Sequence, residues 1–133
     1  MNTSPTRVRS VSTSNAPAAI GPYSQAVCAG GLLFVSGQLP IDPTTDAFVA
    51  GGAAEQAKQS IANISAILES EGLQLSDVVK TTVLLTDLAD FQSVNAVYAK
   101  HFRGEALPAR STFQVAGLPK GALVEIEAIA TAG

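Results

Sequence analysis

The chain has 133 residues, 47% of them hydrophobic and only 14% charged, with a net charge of −3. Its eight basic residues are scattered among eleven acidic ones, which excludes a nucleic-acid surface built on clustered Lys and Arg. No apolar run reaches the roughly 18 residues of a membrane helix, and the length suits one domain over residues 1–133. Residues 1–6 are expected to be flexible. So few charges on a small domain suggest that other copies of the chain cover part of the surface.

Arg7–Ser12 reads as a short strand. The loop Asn15–Tyr23 follows, where Pro17, Gly21 and Pro22 forbid regular structure. SQAVCAG and LLFVSG then flank Gly30 and Gly31, a strong two-residue hairpin signal. Cys28, on the first arm, is the only cysteine. It excludes an intramolecular disulfide, fits a reducing compartment such as the cytoplasm, and is expected to act as a small buried hydrophobe. With one Cys and one His (His101, at a helix end), one chain cannot assemble a structural zinc site. The N-terminal region has no apolar segment of the kind a secretory signal requires.

From Gly52 the period changes. Ala54, Ala57, Ile61, Ile64 and Leu68 recur at helical spacing, and Gly72 closes the helix. Val78–Thr86 is β-branched and predicts a strand. Asp87 or Asp90 is placed to cap a second helix whose stripe is Phe91, Val94, Tyr98 and Phe102.

The last quarter is the most informative. In one run Arg110, Thr112 and Gln114 alternate with Ser111, Phe113 and Val115. In the next, Val124, Ile126, Ala128 and Ala130 alternate with Leu123, Glu125, Glu127 and Ile129. Gly117, Pro119 and Gly121 lie between the runs, and the reading is a hairpin that brings Arg110 toward Glu125 and Glu127 on one sheet face. A guanidinium beside carboxylates on a half-apolar face is a candidate site, although strand charges are often simply solvated or paired across strands. Strands at both ends and two amphipathic helices between them predict an α+β fold: about six strands in one mixed sheet, both helices on one face. The helices are expected to cover Val124, Ile126, Phe113 and Val115. The face with Arg110 and Glu125 would then need a partner.

Four stretches, NAPAAIGPYSQA (Asn15–Ala26), LLFVSGQLPIDP (Leu32–Pro43), VVKTTVLLTDLADFQSVNAVY (Val78–Tyr98) and PARSTFQVAGLPKGALVEIEAIA (Pro108–Ala130), resemble in order the motifs of the Rid/YjgF family of reactive-intermediate deaminases. The resemblance implies a chorismate-mutase-like fold and a homotrimer with sites in the clefts between subunits. It implies hydrolysis of 2-imino acids and their enamine tautomers to 2-oxo acids and ammonia, with no cofactor and no metal. By the same resemblance Arg110 binds the substrate carboxylate, and Glu125 handles water and protons as catalytic acid–base. Tyr23 would line the cleft, the alternative being a loop aromatic packed on the sheet. Ser36 and Gly37 end a strand, where Gly37 either offers a backbone N–H or serves only the bend, and Thr112 lies beside the arginine. Asn95 and Glu127 are further candidates, each with a structural role as alternative. Many bacterial members carry Cys where this chain has Thr112, and the segment His101–Leu107 is a little shorter than in some relatives. The competing functions are a non-catalytic sensor of small 2-oxo acids, a chaperone-like or structural trimer, and the endoribonuclease or translation-inhibitor role attached to some members. The acidic charge and the 5% aromatic content weigh against the last.

Overall fold

A computed structural model of the chain describes residues 7–132, so the expectation for residues 1–6 lies outside the described residues. Strands β1 (Arg9–Val11), β2 (Ala26–Ala29) and β3 (Leu32–Gln38) form an antiparallel meander. Gly30 and Gly31 turn between the last two with φ of 59° and 77°. Two successive positive φ values match the twist of the flanking strands, and glycine adopts them without Cβ strain.

A short ribbon, β4 (Ile41–Asp42) and β5 (Ala47–Phe48), leads into helix α1 (Ala53–Glu69). The Glu55 carboxylate accepts the Gly52 N–H at 2.9 Å and closes the first turn. At the other end Gly72, with φ 73°, stops the helix as expected. Ala57, Ile61, Ile64 and Leu68 are buried, each large aliphatic contributing about 1.5–3 kcal/mol by leaving water. Ala54 is only half-buried, and Ala53 and Ile67 occupy the stripe with the others. The buried face also holds Gln56, Ser60 and Asn63, which an apolar period does not count. Asn63 Nδ2 donates to the carbonyls of Leu39 and Ile41 at 3.1 and 2.9 Å. Gln56 Oε1 accepts the Leu123 N–H at 2.8 Å.

Strand β6 (Val78–Leu85), helix α2 (Phe91–His101) and strand β7 (Ala109–Gln114) form a parallel crossover unit, and β8 (Val124–Thr131) completes the chain. Asp87 caps the short turn leading into α2 by accepting the Ala89 N–H at 2.9 Å. The main sheet has six strands in the order β1-β2-β3-β8-β6-β7, antiparallel throughout except for β6 and β7. Both helices pack on one face, where Leu33, Val35, Val83, Leu85, Val124 and Ile126 meet Ile61, Ile64, Val94 and Tyr98. The α+β class, the mixed sheet and the single helical layer therefore agree with the sequence. Among the described residues no helix is long and apolar enough to cross a membrane.

The terminal hairpin does not form. β6 lies between β7 and β8, antiparallel to β8 and parallel to β7. The connection after Val115 crosses the end of β6, where the Thr86 N–H donates to the Leu123 carbonyl at 3.2 Å. Turn residues between two runs were read as a tight return, but nine residues also span the roughly 10 Å of two strand spacings. The inserted strand resets the faces. Thr82 pairs with both Glu127 and Ser111, and Leu84 with both Glu125 and Phe113. Thr81 pairs with Arg110 and Ala128, so Arg110 projects to the helical side and the two glutamates to the other. Val124 and Ile126 are covered as expected, whereas Phe113 stands on the open face, 55% exposed.

Candidate active site

Arg110 leaves the edge strand β7 beneath α2. Its Nη1 donates to Asn95 Oδ1 at 2.8 Å. The guanidinium carbon lies 4.7 Å from the Tyr98 ring centroid and 5.6 Å from that of Phe91. A cavity of about 360 Å³ opens beside it, lined by Asn95, Tyr98, Ala99, Phe102, Leu107, Pro108 and Arg110. Helix α2 therefore supplies three of the groups around the cation, since Phe91, Asn95 and Tyr98 share one helical face at spacings of four and three. Thr112 lies two residues along β7 on the same face, opposite Val83, as the alternation predicts. Leu107 and Pro108, at the end of the short segment after α2, form the outer wall.

Glu125 and its neighbours make a second centre. The Glu125 side chain lies flat over Gly37: a Cβ at that position would sit 2.9 Å from Glu125 Cδ and closer still to its Oε2. The glycine is thus needed for close approach of the carboxylate, since its φ is not in the left-handed region. Half-burial raises the Glu125 pKa, and the charge of Glu127 two residues on raises it further. Burial is the larger of the two causes. Glu127 itself is exposed on the open face, opposite Thr82.

Tyr23 belongs to this second centre. With Gln25, Gly37, Gln38, Asp46 and Lys120 it borders a small cavity of about 60 Å³. The ring is 52% exposed, and its hydroxyl accepts the Ile20 N–H at 3.4 Å. Its loop hangs on buried Gln25, whose Oε1 accepts the Thr13 N–H at 2.7 Å. Gln25 Nε2 donates to the carbonyls of Thr13, Ala16 and Pro17 at 3.1, 3.3 and 2.7 Å. Ser36 serves the same junction: its Oγ donates to the Ser24 carbonyl at 2.6 Å, and its N–H to the Gln25 carbonyl at 2.9 Å. That hydroxyl proton is committed to the fold.

The eight candidate residues thus fall into two groups within one chain. Arg110, Asn95 and Thr112 lie under α2, while Glu125, Gly37, Tyr23, Ser36 and Glu127 lie along the open face and the adjoining loops. Sequence reasoning missed Tyr98, Gln25 and Lys120. Tyr98 was assigned to the core stripe by its spacing, and Lys120 to the turn, where it takes a φ of 58°. Gln25 was read only as part of the hairpin arm SQAVCAG and of the first motif.

The two remaining reactive side chains sit elsewhere. Cys28 is half-buried on β2; its Sγ accepts from Arg9 Nη2 at 3.3 Å and contacts Glu71 Oε1 at 3.7 Å. Burial raises its pKa, a shift opposed by Arg9, so the group is held as a thiol. Burial lowers the His101 pKa, helped by Lys58, Arg103 and Lys100. Among the described residues no three His, Cys, Asp or Glu side chains cluster as a metal ion would require.

Residues 13–132 match the family model described as endoribonuclease L-PSP. The chain is 54% identical over 123 residues to the 2-iminobutanoate/2-iminopropanoate deaminase of Rattus norvegicus, covering 92% of this chain and 89% of that one. It is 55% identical over 122 residues to a RutC family protein of Sinorhizobium fredii, covering 92% and 96%. Among solved structures, RidA from the Antarctic bacterium Psychrobacter superposes with a TM-score of 0.87 at 48% identity, covering 92% of this chain and 98% of that one. The yjgF gene product of E. coli gives 0.86 at 47% identity, covering 94% and 99%.

Proposed function

Because the chain belongs to the endoribonuclease L-PSP family, the Rid/YjgF family of the sequence resemblance, we propose that it is an imine deaminase. It is a hydrolase of C=N bonds that converts 2-imino acids such as 2-iminobutanoate and 2-iminopropanoate, with their enamine tautomers, to 2-oxo acids and ammonia. The single observation that carries this reading is the Arg110 guanidinium, with an edge left free beside a cavity of substrate size.

Arg110 grips the substrate carboxylate through parallel N–H bonds, which fixes its orientation as well as its charge. Glu125, as carboxylate, takes a proton from water while the water oxygen bonds to the carbon of the protonated imine and the C=N π pair moves onto nitrogen. The resulting carbinolamine carries one hydroxyl and one amine on the same carbon. Glu125 then returns its proton to the nitrogen, the C–N bond breaks as the hydroxyl proton passes to Glu125 and the carbonyl forms, and the departing ammonia takes that proton up as ammonium. A raised pKa suits a group that must both take and give a proton, and such transfer is worth about 10²–10⁴-fold. Tyr23 and Gly37 border the small cavity next to this carboxylate, which lies against Gly37.

One chain cannot bring these groups together, because Arg110 and Glu125 project from opposite faces of the sheet. We therefore place the reaction between copies of the chain, Arg110 of one facing Glu125 of another, in a homotrimer. The open face supports association: Phe34 and Phe113 stand 41% and 55% exposed there, beside half-buried Leu84 and Ile129. The one free cysteine suits a reducing cytoplasm. The endoribonuclease role in the family description gains no support from a chain with eight basic residues against eleven acidic ones.

The test generates imines in situ with an amino-acid oxidase and traps what remains with semicarbazide. The wild-type protein is expected to lower semicarbazone formation in proportion to the amount added, and Arg110→Ala and Glu125→Gln to lose that effect. Suppression that survives both substitutions would contradict the assignment. Absence of suppression together with measurable 2-oxo acid binding would favour the sensor.

A further inference from the structure

The Arg110 side chain is held in an unusual way for a strand arginine. Among the described residues the only ion pair is Arg9–Glu71, so no carboxylate of its own chain neutralises Arg110. Its positive charge instead faces two aromatic rings, and the nearer one is fixed with care. Tyr98 is 8% exposed, and its hydroxyl pairs at 2.7 Å with Oγ1 of Thr81, which is fully buried. Thr81 is the residue of β6 that pairs directly with Arg110 on β7. The ring also stacks on Phe102, with centroids 4.4 Å apart and planes inclined by 28°. Strand pairing, hydroxyl bond and ring contact thus close a triangle of Arg110, Thr81 and Tyr98.

A carboxylate partner would have occupied two of the five guanidinium N–H groups and cancelled the charge. A ring face attracts the cation and uses none of them. With Asn95 accepting one N–H, the remaining edge stays available to an anion. We propose that Tyr98, anchored through Thr81, is a positioning residue: its ring presents the Arg110 guanidinium to the substrate carboxylate without neutralising it. This inference rests on the reading of Arg110 as the carboxylate grip.

Tyr98→Leu, Tyr98→Phe and Arg110→Ala are compared with wild type in the imine assay, with 2-oxobutanoate binding followed by calorimetry. Loss of the ring is expected to raise KM and weaken 2-oxobutanoate binding by roughly three- to thirtyfold, the range of exposed to desolvated cation–π contacts. The change falls on KM, with kcat within about threefold, because binding common to ground and transition states is removed. Tyr98→Phe keeps the ring and loses the Thr81 bond, so its affinity is expected to fall between those of wild type and Tyr98→Leu, whereas a purely structural defect would lower the active fraction and leave KM unchanged. Should Tyr98→Leu fail to fold, Tyr98→Met refills the gap with a flexible apolar chain and makes the same comparison. A folded ring-deleted variant with wild-type KM and affinity overturns the inference, and so does a fall in kcat alone. If Arg110→Ala itself keeps wild-type affinity, the functional reading fails first. If Arg110→Ala loses affinity and the Tyr98 variants do not, the positioning role alone is wrong.

Discussion

Glu125 shows how one carboxyl is tuned by what surrounds it. Half-burial on the open face, and then the charge of Glu127, raise its pKa from the ordinary carboxylate value. A base with a raised pKa is ionised only above that value, so kcat/KM is expected to fall on acidification at a higher pH than a free carboxylate would give. Glu127→Gln should move that limb toward lower pH without abolishing it, because burial remains the larger cause. A pH profile of the two proteins checks this, and an unmoved limb would show that Glu127 does not act on the catalytic group. The same shift carries a stability sign. Between the ordinary and raised values the folded state binds more protons than the unfolded one, so stability declines as pH rises through that window. Glu125→Gln is accordingly expected to melt at or above wild type at neutral pH, with the difference shrinking in acid. Gly37 is part of this tuning, since any side chain there would displace the carboxylate.

At the scale of elements, period and turn chemistry revealed most of the architecture, and the failures have identifiable causes. Gly30 and Gly31 take the two positive φ values their turn predicts, and of the stripe Phe91, Val94, Tyr98 and Phe102 the last three are buried as spaced while Phe91 is exposed. Alternation placed Arg110 with Thr112 and Glu125 with Glu127 on their own strands correctly. It could not say which strands are neighbours, and β6, inserted between the two, put the pairs on opposite faces. Apolar period was also blind to Asn63 and Gln56, whose buried amides hold the loops 39–41 and 118–123 beside the second centre. Gln25 has the same kind of role, with four partners in the loop that carries Tyr23. Gln25→Leu keeps the volume but strands a buried N–H and three carbonyls, which should lower stability by about 1–3 kcal/mol. Denaturant midpoints at constant slope would measure it; a change below about 0.5 kcal/mol, typical of an exposed surface site, would mean that water replaces the amide.

For the whole molecule, the arrangement of the two groups is informative because it is incomplete. Helices cover one face of the sheet and leave Phe34, Leu84, Phe113 and Ile129 on the other, together with Glu125. The arginine sits at the opposite face of an edge strand, where a neighbouring copy can approach it. Association would cover the apolar patch and complete the site in one step, which explains how a chain with 14% charge leaves that face open. The most direct measurement is therefore complementation. Arg110→Ala and Glu125→Gln, each inactive alone, are co-expressed in equal amounts, purified as mixed assemblies and assayed for imine hydrolysis. Sites that draw one residue from each of two copies should recover about a quarter of wild-type activity by random assembly. No recovery in assemblies shown to contain both variants would contradict a site shared between copies.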